Sequence, residues 1–131
     1  MDRFVDWRVR FGAYITSVKN QPFEWGKLDC ALFAAGAVKA QTGLDLAVDF
    51  RGYRTELGGL RKARKLGFAD HVDVFARALP SADRLRVGDI AIIQEDGRRA
   101  LGVVQGRGVY AMQIDGLAFL DHSAVVGGFR V

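Results

Sequence analysis

The chain has 131 residues, a formal net charge of +4 and half of its side chains hydrophobic, which fits one domain with a real core and excludes a disordered chain. No apolar run reaches the roughly 18 residues of a membrane span. A single cysteine excludes an internal disulfide, one cysteine with two histidines argues against a zinc site, and no cofactor or nucleic-acid partner is expected, since no basic–aromatic module of the usual kinds is present.

The opening Met1-Asp2-Arg3-Phe4 is amphipathic and lacks the apolar centre of a signal peptide. Phe4, Trp7, Phe11, Tyr14 and Val18 then recur at helical spacing, with Arg3, Arg8, Arg10 and Lys19 between them. This predicts an amphipathic helix of about four turns, ended by Asn20-Gln21-Pro22. Phe23 to Gly26 reads as a short loop. From Cys30 to Val38 no side chain is polar. A helix that is apolar on every face is buried on every face, so this segment is predicted to be the central helix, packed on strands that follow Gly88. Asp29 stands where its N-cap belongs, and Gly43 stops it. Cys30 falls in the first turn, where the helix dipole and free N–H groups favour a thiolate.

Asp45 to Arg54 reads as an irregular connection. Thr55 to Leu66 is predicted to be a second amphipathic helix, weakened at Gly58 and Gly59 by about 1 kcal/mol each relative to alanine. Arg61, Lys62, Arg64 and Lys65 give it a basic outer face, which is expected to be a solvated surface, the alternative being a docking surface for an acidic partner. Asp70 caps a short helix from His71 to Leu79, with Pro80 beyond its end, and His71 is expected on the surface of its first turn.

After Pro80 the texture changes. Val87 to Ile93 opens with a turn and continues as a β-rich run, and Asp96-Gly97 is a hairpin signal. Leu101–Val104, Val109–Met112 and Leu117–Leu120 follow at short intervals, with Phe129–Val131 as a last short strand. Helices first and strands afterwards is the α+β pattern. Residues 1–131 are expected to form one domain, its helices packed on an antiparallel sheet or small barrel.

Trp25-Gly26, then Asp29-Cys30 opening a helix, then Gly88-Asp89 opening an apolar strand, then Leu101-Gly102-Val103-Val104 resemble the NlpC family of cell-wall cysteine peptidases. The resemblance covers roughly residues 22 to 113 and implies a papain-like fold with Cys30 as the nucleophile. Trp25, Gly26, Asp29, Ala100 and Gln113 would line its cleft. In that family a histidine, the general base, precedes the apolar segment; here the residue is Ala100. The family's third polar residue would fall near Met112 and Gln113. His122 and His71 are the only imidazoles that could replace the base. Of these, the resemblance places His71 in a helical insert away from the site.

Across the whole chain, Pro22-Phe23-Glu24-Trp25-Gly26 with Asp29 to Phe33, Ala100 to Val104, Asp115-Gly116-Leu117 and the Phe129-Arg130-Val131 end resemble short phage and prophage proteins of the tail tip or baseplate. The resemblance implies a component assembled in the host cytoplasm into the virion beside hub and distal-tail proteins. On this view the peptidase fold is kept for assembly and cell-wall peptide is not hydrolysed. The alternative is an active cell-wall cysteine endopeptidase or amidase that uses Cys30 with His122 or His71.

Overall fold

Four helices, α1 (Trp7–Val18), α2 (Cys30–Thr42), α3 (Glu56–Lys65) and α4 (His71–Ala78), precede five strands, β1 (Ile90–Glu95), β2 (Arg98–Gln105), β3 (Gly108–Gln113), β4 (Gly116–Asp121) and β5 (Val125–Phe129). The computed structural model describes residues 2–131, apart from the side chain of Glu95; Met1, the first residue of the amphipathic opening, lies outside them. The strands form one antiparallel sheet in the order β4-β3-β2-β1-β5. The α+β class and the order of elements are those expected. The first helix starts at Trp7 rather than Phe4, and the last strand runs from Val125, so Phe129 ends it.

The helix without a polar face lies where its composition requires. Phe33, Ala34, Ala37 and Val38 of α2 are fully buried, with α1 against one side and strands β2 and β3 against the other. Asp29 caps its start by accepting the Leu32 N–H at 3.0 Å, and Gly43 ends it, donating its N–H to the Lys39 carbonyl. Tyr14 of α1 stacks on Phe33 with ring centroids 5.9 Å apart and donates its hydroxyl to the Phe33 carbonyl at 2.8 Å.

The sheet is buried on both faces. Leu101, Val103 and Met112 join the cluster around α2, while Ala91, Ile93, Val104, Val109 and Ala111 form a second cluster on the opposite face. Strand alternation produces this division: odd residues of β2 turn towards the helix and even ones away from it.

The chain ends are held by Asp89, a fully buried carboxylate at the entrance to β1. It accepts the backbone N–H groups of Arg86 at 2.8 Å and Val131 at 3.0 Å. Arg3 lies 3.4 Å and Arg130 3.2 Å from its two oxygens. Arg3 also donates to the Val87 carbonyl at 2.7 Å and packs its guanidinium over Trp7 at 3.9 Å. Removing one partner of a buried ion pair costs far more than the pair contributes, because the remaining charge is left unpaired. Asp89→Ala should therefore lower stability by about 3–5 kcal/mol in urea denaturation. A loss below about 1 kcal/mol would show that the ends are not held in this way.

Candidate functional site

The tight turn before α2 sets the site. Glu24 and Leu28 bridge each other, and Leu28 N–H donates to the Glu24 carbonyl at 2.8 Å. Within this turn Gly26 sits at φ +75°, donating its N–H to Asp29 Oδ2 at 3.1 Å. A β-carbon at Gly26 would collide with the Tyr53 backbone, so both its left-handed φ and the lack of a side chain are needed. Trp25 beside it is half-buried, edge-on to Phe23 with centroids 4.7 Å apart.

Tyr53 is the residue that sequence reading missed. It comes from the irregular connection and donates its hydroxyl to Asp29 Oδ2. Its ring lies against Gly59, where a β-carbon would come within 2.9 Å of it. The glycine that weakens α3 intrinsically thus makes room for this ring. Burial first, and then the Asp29 carboxylate, raise the Tyr53 hydroxyl well above its ordinary value, so it stays a donor. Asp29 is buried and spends its two oxygens on Leu32 N–H, Gly26 N–H and Tyr53.

Cys30 follows directly. The helix terminus favours a thiolate, yet burial outweighs it and pushes the thiol up to about 11. Leu101 and Ala31 backbone groups act the other way on the sulfur, as N–H donors do, while the Asp29 and Glu56 carboxylates add to the rise. Ionisation at neutral pH, expected from the helix end alone, is thereby overridden.

The other calls divide. Ala100, matched to the family's base, packs with the second cluster on the sheet face away from α2. Gly102, two residues on, would direct a β-carbon into Val109 and Ile93 of the same cluster. A side chain at position 100 therefore points away from Cys30, which corrects the expectation that the strand start faces the thiol there. Towards α2, β2 presents Leu101 and Val103, which are apolar. Gln113 ends β3 opposite Gly116, and alternation from Ala111 puts it on the Ala100 face. His122 is exposed in the short 3₁₀ turn after β4, with Nε2 3.1 Å from the Gly106 carbonyl. Gly106 lies beyond the far end of β2, five residues past Leu101 or roughly 17 Å along the strand. The structure does not bring His122 to Cys30.

His71 differs from expectation. Asp70 caps α4 by accepting the Asp73 N–H at 2.9 Å, and its other oxygen pairs with Arg99 at 2.6 Å. That ion pair lays the first turn of α4 over the start of β2. His71 is half-buried there rather than on the surface, and its Nε2 is buried with no hydrogen-bond partner among the described residues. Burial lowers its pKa below the ordinary value, against the Asp70 and Asp29 carboxylates and the Arg99 backbone, which raise it. The corner thus gathers Asp29, Cys30, Tyr53 and His71. Among the described residues no group of three or more acidic, cysteine or histidine side chains could hold a metal, and no helix is long and apolar enough to cross a membrane.

Stability should report both titrations. The unfolded thiol releases its proton near 9.0 and the folded one near 11, so stability should fall between those values. The unfolded imidazole takes its proton near 6.5 and the folded one only lower, so stability should also fall as the pH drops below 6.5. Denaturation midpoints measured against pH should lose the alkaline component in Cys30→Ala and the component just below 6.5 in His71→Asn. Variant curves parallel to wild type would refute these environments.

The sequence model of one family, Domain of unknown function (DUF6950), matches residues 2–131, and the chain belongs to that family. A search of curated proteins returned no match.

Proposed function

We propose that this DUF6950 chain is a structural and interaction component of the tail tip or baseplate of a long-tailed phage, built on a papain-like, NlpC-type fold. The observation that carries the reading is the meeting of its family-like segments. Asp29-Cys30 opens the buried helix, that helix packs on β2, and Gly88-Asp89 opens the neighbouring strand. The strand contributes no base on the helix side, since Leu101 and Val103 are apolar there. Recruitment by surface rather than by the family's strand-borne chemistry follows from this. Phe119 on the edge strand β4 and Ile114 in the turn before it are exposed apolar side chains, as an assembly contact requires. The partners on this reading are hub and distal-tail proteins, met in the host cytoplasm and retained in the virion. A second reading, hydrolysis of cell-wall peptide through Cys30, is favoured by the burial of His71 at the same strand end.

Mass spectrometry of purified phage particles should find the chain with the hub and distal-tail proteins, and labelled antibody should mark the tail end. Particles that lack it, from lysates that contain it, would overturn the assignment. Ile114→Asp should cut incorporation at least tenfold while leaving the free protein's stability within about 0.5 kcal/mol.

A further inference from the structure

The two edges of the sheet are finished differently. Residues 80–82 lie along the end of β5: Ser81 bridges Phe129, the Ala82 N–H donates to the Gly128 carbonyl at 3.1 Å, and the Arg130 N–H donates to the Pro80 carbonyl at 2.8 Å. A register shift between Ile92 and Ile93 also interrupts the pairing of β5 with β1. At the other edge β4 pairs with β3 without interruption from Gly116 to Asp121, and among the described residues no further strand lies beside it. Its sequence, Gly-Leu-Ala-Phe-Leu-Asp, has neither the proline nor the lysine that blunts an edge. The two-residue turn at Ile114-Asp115 makes Gln113 and Gly116 a hydrogen-bonded pair. Gly116, Ala118 and Leu120 therefore turn their backbone groups towards β3, and Leu117 and Phe119 turn theirs to the open side. A groove of about 540 Å³ adjoins this edge; Tyr110, Leu117 and Phe119 form its apolar part, Lys19 and Arg107 are its charged residues, and no carboxylate lines it. The Tyr110 and Phe119 rings are 5.1 Å apart, and a β-carbon at Gly108 would come within 3.0 Å of the Phe119 ring, which thus lies over bare backbone and remains exposed. Neither Lys19 nor Arg107 is in an ion pair among the described residues.

We propose that the open edge of β4 takes an extended, acidic segment of a partner protein as a sixth strand of the sheet. The backbone groups of Leu117 and Phe119 supply the ladder hydrogen bonds, which any extended chain can meet, and the groove supplies the selection. An apolar side chain of the incoming strand packs on Phe119 and Tyr110, and its carboxylates meet Lys19 and Arg107. Charge decides between this occupant and a second copy of the chain. Antiparallel pairing of two β4 strands follows a two-fold axis perpendicular to the sheet, so both copies would bring Lys19 and Arg107 to one face, with no carboxylate in either groove. The single acid that a second β4 offers is Asp121, which already accepts the Ser123 N–H at 2.8 Å. The proposal gives the chemistry of a partner for the surface used in the tail-tip reading, but it rests on the edge and the groove, so a chain absent from particles leaves it intact.

The probe is a synthetic peptide, acetyl-Glu-Val-Glu-Leu-Glu-Val-Glu-amide, titrated at low salt into the ¹⁵N-labelled full chain. The amide resonances of Leu117 and Phe119 should shift, and their hydrogen exchange should slow by about tenfold or more, while the β3-paired amides of Ala118 and Leu120 change less. The same peptide with lysine in place of glutamate should bind about tenfold more weakly or worse, and so should the acidic peptide to the chain carrying both Lys19→Glu and Arg107→Glu. A peptide N-methylated at every residue keeps its charges and side chains but has no backbone donors, and it should lose about tenfold or more. The two altered peptides test the site on the wild-type chain, whatever the folding of the variant. Sedimentation of the free chain at the same concentration should show a monomer. No shift up to about 1 mM peptide, shifts away from β4, equal binding of the lysine peptide or equal binding of the N-methylated one would each overturn the site. A dimer of the free chain with Leu117 and Phe119 already protected would give the edge to a second copy and overturn the acidic partner.

Discussion

A buried carboxylate must find donors for both oxygens, and Asp29 finds them on three different segments. Leu32 N–H belongs to α2, Gly26 N–H to the preceding turn and the Tyr53 hydroxyl to the connection before α3. The first part of the helix, from Cys30 to Val38, carries no polar side chain, so its free N–H groups depend on the residue that precedes it. Through that one group the helix start, the turn and the connection acquire a common origin. Cys30 is the next residue, so its place against β2 is inherited from the cap. Unpaired, the same carboxylate would be among the most destabilising groups in the fold.

Asp89 does the same for the opposite end of the layer. It ties Arg3 and Trp7 at the start of the chain to Arg130 and Val131 at its end, around the entrance to β1. The two aspartates belong to the two short segments that resemble the NlpC pattern, Asp29-Cys30 and Gly88-Asp89. Their roles here are local and electrostatic: one caps a helix, the other collects two cations and two amides. Much of that sequence likeness is accounted for by the demands of burying a helix on a sheet.

Legibility followed the range of the interactions. The apolar run from Cys30 to Val38, the Asp29 and Asp70 caps and the Asp96-Gly97 hairpin are local signals, and each element formed where they stand. Register was less accessible. Which face of β2 receives Ala100 depends on the alternation set by pairing, and the match by order placed it beside Cys30 when packing puts it on the other side. Tyr53 lay in a stretch with no periodicity, and only the slot at Gly59 reveals its use. His71 looked like an ordinary first-turn residue because the pairing of Asp70 with Arg99 spans 29 positions of sequence.

The electrostatics of the corner differ from those of a thiolate–imidazolium pair. Burial raises the thiol to about 11 and lowers the imidazole, so at neutral pH both groups rest uncharged. A neutral pair avoids burying two ions, which the surrounding Asp29, Glu56 and Asp70 carboxylates would otherwise complicate. The resting thiol is correspondingly protected from adventitious oxidation, since reactivity follows the thiolate fraction.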